Sequence, residues 1–94
     1  MPKLAALLSP RFLASLKNLS AADVNRVEET LRILPDCFGR PHFHAGTSIR
    51  RLRKNVFEYR TGLKIRILFR AGSQTLDVFF VGDHDEVRRL IRNL

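Results

Sequence analysis

Apolar residues in the first third of the chain recur at the three- and four-residue spacing of amphipathic helices. Two such stripes are present: Phe12, Leu13, Leu16 and Leu19, and then Val24, Val27, Leu31 and Leu34. Ser9 followed by Pro10 marks the start of the first helix, because serine caps helix N-termini and proline is favoured at the first helical position. Ser20 marks the start of the second helix in the same way. Pro35 predicts that this helix ends at about Leu34.

Later in the chain the pattern changes to the period of two that half-buried strands have. The clearest alternation is Leu63, Ile65, Ile67 and Phe69 against Lys64, Arg66, Leu68 and Arg70. Residues 75–81 are rich in strand-forming residues and predict a further, central strand. Residues 3–8 are predicted to form a short first strand, and residues 35–48, with two prolines and two glycines, a loop. Asp83 and Glu86 have the spacing of a capping box, which predicts a last helix. Its apolar stripe is Val87, Leu90, Ile91 and Leu94, which predicts that Arg88, Arg89 and Arg92 lie on its outer face.

The predicted order is therefore β-α-α-β-β-β-α. This order predicts a single α+β domain over residues 1–94, with an antiparallel sheet of about four strands. An N-terminal helical hairpin covers one face of the sheet, and a short C-terminal helix packs on the same face.

The register of the hairpin within residues 49–70 follows from its apolar pattern. A two-residue turn at 61–62 would mix aromatic and charged side chains on one face. A three-residue turn at 61–63 instead keeps Phe57 and Tyr59 on a dry face, and a buried face is what fixes strand register. Four charged residues then meet on the open face of the sheet in two facing pairs: Arg60 with Lys64, and Glu58 with Arg66.

Charge is unevenly distributed along the chain. The formal net charge is +8; residues 1–46 hold six cations and four acids, whereas residues 47–94 hold eleven cations and five acids. A cationic surface on two paired strands is suited to binding a polyanion, of which RNA is the first candidate. A basic surface that only keeps the protein soluble is the alternative.

The cysteine content and the hydropathy of the chain indicate its cellular location. Cys37 is the single cysteine, so no intrachain disulfide can form and a cytoplasmic location is expected. No apolar run approaches the roughly 20 residues of a membrane span, so no membrane association is expected. Cys37, His42 and His44 offer three candidate ligands in one loop, which is fewer than a closed zinc site requires, and their spacing is not the usual one. We therefore expect no metal and no cofactor.

Five segments together resemble the RelE/ParE superfamily of bacterial toxins. In chain order they read Ser-Pro-Arg-Phe at 9–12, Leu-Arg-Lys at 52–54, Phe-Glu-Tyr-Arg-Thr-Gly at 57–62, Arg-Ile-Leu-Phe at 66–69 and Val-Gly-Asp-His-Asp-Glu-Val at 81–87. The resemblance implies a RelE-like fold and a toxin of a type II toxin–antitoxin module, held inactive by a cognate acidic antitoxin.

Within that superfamily, RelE-like members cut mRNA on the ribosome without a metal, and ParE-like members act on DNA gyrase. Fold alone does not choose between these targets. Many RelE-like nucleases carry a tyrosine near their last element, whereas the single tyrosine here, Tyr59, is predicted on the buried side. Ribosome-dependent mRNA cleavage is the first hypothesis. A ParE-like gyrase inhibitor and a non-toxic nucleic-acid-binding domain remain open, so whether the chain is an enzyme is open too.

Metal-free RNA cleavage needs a base, an acid and cations that stabilise the phosphorane. The candidate catalytic residues are Arg60, Arg66, His84 and Glu58. The arginines match phosphate geometry, histidine changes protonation near neutral pH, and a carboxylate is a possible base. The candidate RNA-binding residues are Arg50, Arg51, Arg53, Lys54 and Lys64. The antitoxin is expected to cover the surface of residues 50–66 and to displace or crowd the last helix.

Overall fold

A computed structural model of the chain describes residues 4–38 and 49–94. Its elements in chain order are β1 (Ala5–Leu8), α1 (Pro10–Leu16), α2 (Ala21–Cys37), β2 (Ile49–Arg51), β3 (Val56–Thr61), β4 (Ile65–Ala71), β5 (Thr75–Gly82) and α3 (His84–Arg92). The predicted α+β class and element order are confirmed, with one additional strand.

The five strands form one sheet in the order β1-β5-β4-β3-β2. The pairs β2–β3, β3–β4 and β4–β5 are antiparallel, whereas β1 runs parallel to β5. The sheet is therefore mixed rather than wholly antiparallel. Its two edges are β1 and β2, which lie at opposite ends of the strand order.

The additional strand arises because the basic segment turns back on itself. The main-chain N–H groups of Leu52 and Arg53 both donate to the oxygen of Val56, at 2.9 and 3.2 Å. This turn separates β2 from β3 and pairs them antiparallel, with Arg50 opposite Glu58. Residues 49–61 therefore form two strands where the alternation predicted one.

The predicted register of the β3–β4 hairpin is wrong by two residues. Arg60 lies opposite Arg66, and Thr61 lies opposite Ile65, so the turn comprises residues 62–64. Gly62 begins this turn with φ of +71°, a conformation that glycine adopts without strain. A shift of two residues keeps each side chain on its predicted face, because side-chain direction alternates with a period of two. Accordingly Tyr59 is buried with the apolar residues of β4, as expected.

Helices α1 and α2 pack on one face of the sheet, as predicted, and enclose the main core. Its fully buried members include Phe12, Val27, Leu34, Ile67, Phe69, Leu76 and Val78. At one end Phe38 packs edge-on against Phe57 and Phe69, with ring centroids 4.9 and 5.5 Å apart.

Helix α3 packs on the opposite face, so the prediction that all helices share one face is wrong. The second apolar cluster consists of Val56, Leu68, Phe79 and Val87, with Leu52, Phe80, Leu90 and Ile91 partly buried around it. An irregularity in the β4–β5 pairing at Leu68 and Phe69 leaves Phe79 on the same side as Phe80. This second apolar surface has to be covered, and α3 covers it.

The helix starts follow the predicted capping chemistry. Ser9 accepts a hydrogen bond from the Phe12 N–H, and Asp83 and Glu86 form a complete capping box at α3. Helix α2 extends to Cys37, beyond its predicted end, and the Phe38 N–H still donates to the Leu34 oxygen at 3.0 Å. Within residues 4–38 and 49–94, no helix is both long and apolar enough to cross a bilayer.

Candidate nucleic-acid interface

A groove of about 320 Å³ lies between the β2–β3 end of the sheet and α3. Its lining residues are Arg50, Leu52 and Glu58 from the sheet side, and His84, Val87, Arg88, Ile91 and Arg92 from the helix. Three of these lining residues are apolar and five are ionisable. We call this feature the basic groove.

A buried carboxylate pairs with two of the predicted arginines, of which Arg50 lines the basic groove and Arg66 does not. Glu58 is only 2% exposed, and its Oε1 accepts a hydrogen bond from Nη1 of Arg66. Its Oε2 lies 3.6 Å from Nη2 of Arg50, whose side chain is largely exposed. Since a buried carboxylate is unfavourable without partners, the two guanidinium groups stabilise it, and it fixes their positions in return.

Arg66 has one buried donor atom without a partner. Its side chain is 15% exposed, and its Nε is buried without a hydrogen-bond partner among the described residues. Because a buried N–H without a partner is costly, the position favours a small added acceptor such as an ordered water.

His84 is the first residue of α3 and lies exposed at the rim of the basic groove. The neighbouring Asp83 carboxylate is engaged by the Glu86 N–H at 2.8 Å, and Glu86 in turn accepts from the Asp83 N–H at 3.0 Å. Within the described chain the imidazole makes no hydrogen bond or ion pair. It is therefore accessible to a ligand in the groove.

Two arginines of α3 were misplaced by sequence reasoning. Arg88 and Arg92 were expected on the outer face of the helix, but both line the basic groove. The signal was present in the spacing, because His84, Arg88 and Arg92 follow one another at intervals of four and so share one helix face.

Arg60 and Lys64 lie beside the basic groove rather than in it. Arg60 is exposed on the same face as Arg66, its partner across the β3–β4 pair. Lys64 belongs to the turn and lines a neighbouring depression of about 220 Å³ together with Asp83, His84 and Asp85. The face that was expected to be open is therefore partly covered by α3, with Arg60 left accessible beyond it.

The remaining basic candidates have different surroundings. Arg53 donates from Nη2 to the Ile91 oxygen at 2.9 Å and from Nη1 to the Leu94 oxygen at 3.2 Å, so it holds the C-terminal end of α3. Arg51 lies opposite Phe57 in the β2–β3 pair, on the face away from Arg50. Lys54 is exposed in the turn.

Among the described residues, no group of three or more His, Cys, Asp or Glu side chains is arranged to hold a metal ion. His42, His44 and the Cys37 side chain, which were considered together as ligands, lie outside the described part of the structure. The residues that line the basic groove supply guanidinium, imidazole and carboxylate groups.

No family model matches the sequence, and no curated protein matches it. Solved structures do. YafQ from E. coli superposes with a TM-score of 0.72 at 13% identity, covering 90% of this chain and 98% of YafQ. The matched chain of the RelB–RelE antitoxin–toxin complex from Methanococcus jannaschii superposes with a TM-score of 0.67 at 16% identity, covering 89% of this chain and 96% of the matched chain. The matched chain of the YoeB–YefM complex from Staphylococcus aureus superposes with a TM-score of 0.61 at 16% identity, covering 87% of this chain and 98% of the matched chain. The chain therefore has the fold of the RelE-like toxins.

Proposed function

We propose that the protein is the toxin of a type II toxin–antitoxin module and acts as a ribosome-dependent, metal-independent mRNA endonuclease. The observation that carries this proposal is the basic groove. It combines an accessible imidazole with arginines from two different elements around one buried carboxylate. Such a groove is suited to a single RNA strand, whose phosphates are anionic and whose 2′-hydroxyl is the nucleophile.

The reaction is an attack of the RNA 2′-oxygen on the adjacent phosphorus. The 2′-O–P bond forms, the bond from phosphorus to the 5′-oxygen breaks, and a 2′,3′-cyclic phosphate and a 5′-hydroxyl result. One proton leaves the 2′-hydroxyl and one is delivered to the 5′-oxygen. His84 is the group we assign to proton transfer, because it is exposed at the groove rim and imidazole both accepts and donates protons near neutral pH.

The arginines stabilise the charge that develops on the phosphorane. Arg50 lines the basic groove from β2 and Arg88 lines it from α3, while Arg66 lies against Glu58, which also lines the groove. Guanidinium groups held in place before reaction cost no reorganisation during it, which makes such electrostatic stabilisation effective. We assign Glu58 a positioning role, because both of its oxygens already face arginines and its side chain is almost wholly buried.

An acidic antitoxin fits the same surface. Two of the similar solved structures are complexes of a toxin-fold chain with its antitoxin, RelB–RelE and YoeB–YefM. The described face of residues 50–66 carries several exposed cations beside partly buried apolar residues. An acidic, amphipathic segment that orders on binding would neutralise the cations and cover the basic groove.

The test is a cleavage assay with purified, antitoxin-free protein in a translation extract, with mRNA ends mapped by primer extension. We expect cuts within the translated region that require ribosomes. His84→Asn should lower the rate by about 10²- to 10⁴-fold, the usual contribution of a general acid or base, while leaving the fold intact because His84 is exposed. Arg89→Gln is the matched control, since Arg89 lies on the same helix but is not part of the groove lining.

The competing targets give different outcomes. A folded protein that leaves mRNA intact but inhibits supercoiling by purified gyrase would replace the proposal with a ParE-like activity. Salt-sensitive RNA binding without cleavage, and without growth inhibition on expression, would leave only a nucleic-acid-binding domain.

A further inference from the structure

Strand β1 ends the sheet with an edge that no other described strand covers. Its sequence, Ala-Ala-Leu-Leu, carries no charge, although open edges are usually protected by charged residues. The opposite edge, β2, carries Arg50 and Arg51. The two edges of the sheet therefore differ in charge, and the uncharged β1 edge is suited to pairing with another strand.

The outward backbone groups of β1 can be assigned from its bonds to β5. The N–H groups of Ala5 and Ser9 donate to the oxygens of Gln74 and Val78, at 3.1 and 3.0 Å. Because alternate residues of a strand direct their N–H and C=O groups to the same side, those of Ala6 and Leu8 point away from the sheet. Two donors and two acceptors are thus available at the edge.

Apolar side chains lie on both faces of this edge. Leu7 is 52% exposed on the face opposite α2, where it lies beside Asp77 of β5. On the other face, Leu8 and Leu31 line a groove of about 350 Å³ between β1 and α2, bordered by Glu28. The backbone edge and these leucines would be covered together by one added strand.

We propose that β1 is the interface for a second copy of this chain, with the two β1 strands paired antiparallel about a two-fold axis at Leu7. This register places Ala6 of each copy opposite Leu8 of the other. The outward N–H and C=O groups of both residues then meet as hydrogen-bonded pairs. Leu7 faces the partner's Leu7 as a non-hydrogen-bonded pair, in which side chains come closest.

Charge supports a second copy as the occupant. Glu28 and Arg32 are exposed at the border of the β1–α2 groove, one helical turn apart. The two-fold axis sets the α2 helices antiparallel, so Glu28 of each copy lies on the side of the partner's Arg32. An isologous contact of this kind is self-complementary. It also places the two β2 edges, with their arginines, at the far ends of the joined sheet, where repulsion is least.

The first experiment is cysteine cross-linking in a Cys37→Ser background. Leu7→Cys should form a disulfide-linked dimer on mild oxidation, because a non-hydrogen-bonded pair brings Cα atoms to about 4.5 Å, within disulfide range. Leu8→Cys should not cross-link, because Leu8 faces Ala6 of the partner. Equal cross-linking of both variants, or of neither, would overturn the proposed pairing.

The second experiment measures the oligomeric state by sedimentation over a wide range of protein concentration. The unmodified chain should show a concentration-dependent dimer, and Leu7→Arg should be monomeric. Leu63→Arg is the control, since Leu63 is 97% exposed on the β3–β4 turn away from β1. Glu28→Arg and Arg32→Glu should each weaken the dimer, and the double swap should restore it. A chain that is monomeric throughout, or single swaps that change nothing, would refute the interface.

Discussion

Arg53 donates a hydrogen bond from Nη2 to the main-chain oxygen of Ile91, at 2.9 Å. This contact joins the turn between β2 and β3 to the last turn of α3, and so ties together the two walls of the basic groove. A cation at this end also interacts favourably with the helix dipole. Arg53 is therefore a positioning residue for α3, although its place in the basic segment predicted an RNA contact.

Arg53→Gln should loosen α3 without unfolding the domain. The loss of a charge-assisted contact at an exposed helix end should cost about 0.5–1 kcal/mol, concentrated in α3. Hydrogen exchange of the α3 amides should become faster, while exchange in β4 and β5 stays unchanged. Lys54→Gln removes the same charge from the next, exposed residue and should leave α3 exchange as it is. Equal exchange in the two variants would show that Arg53 does not hold the helix.

Glu58→Ala should be among the most destabilising single changes in the domain. It leaves the largely buried Arg66 without its carboxylate, and breaking a buried pair in this way costs about 3 kcal/mol or more. Arg50→Gln, which removes the exposed partner of the same carboxylate, should cost less than about 1 kcal/mol. Urea unfolding measures both changes.

The combination of Glu58→Leu with Arg66→Met should recover most of that stability, because an apolar pair of similar size suits the surrounding cluster of Val56, Leu68 and Val87. The combined variant should nevertheless have no cleavage activity. Stability that stays low in the combined variant would mean that side-chain packing, rather than the unpaired charge, sets the cost.

The sequence predicted which side chains of β3 and β4 point to each face of the sheet, but not the register in which the two strands pair. The alternation around Ile65 and Ile67 determines which side chains point to the core, and every register that differs by two residues satisfies it equally. The choice among those registers depends on the conformation of Gly62, which the alternation does not contain. The element order and the capping residues, by contrast, are local signals and were read correctly.

Tertiary contacts explain the errors at the candidate site. Arg53 and Lys54 are adjacent cations in the sequence, and only the position of Ile91 distinguishes their surroundings. The spacing of Val87, Leu90, Ile91 and Leu94 predicts one buried stripe on α3, and so predicts that Arg88 points outward. One side of α3 borders the basic groove, so Arg88 and Arg92 line the groove although both are exposed. The difference between Arg53 and Lys54 is not visible in local sequence, whereas the four-residue spacing of His84, Arg88 and Arg92 shows that they share a helix face but not that this face borders a groove.

Gly62→Ala should destabilise the β3–β4 hairpin for two reasons. The residue has φ of +71°, which costs a residue with a side chain about 1–2 kcal/mol. A Cβ there would also lie 2.6 Å from Nη1 of Arg26, whose side chain would have to move. Gly62→Asn should cost less, because asparagine tolerates this conformation better than alanine. Thermal unfolding of the two variants, each with and without Arg26→Ala, separates the backbone contribution from the steric one.

Arg88→Gln and Arg89→Gln form a matched pair that tests the basic groove directly. Both remove one charge from consecutive exposed positions of α3, but only Arg88 lines the groove. If a single RNA strand occupies the groove, Arg88→Gln should weaken binding and reduce the slope of log K against log salt by about 0.7, the contribution of one phosphate contact. Arg89→Gln should leave the slope unchanged. Fluorescence anisotropy with a short single-stranded RNA at several salt concentrations measures this slope. Equal slopes for the two variants would place the RNA elsewhere on the surface, whereas a smaller slope for Arg88→Gln alone would place a phosphate against Arg88 in the basic groove.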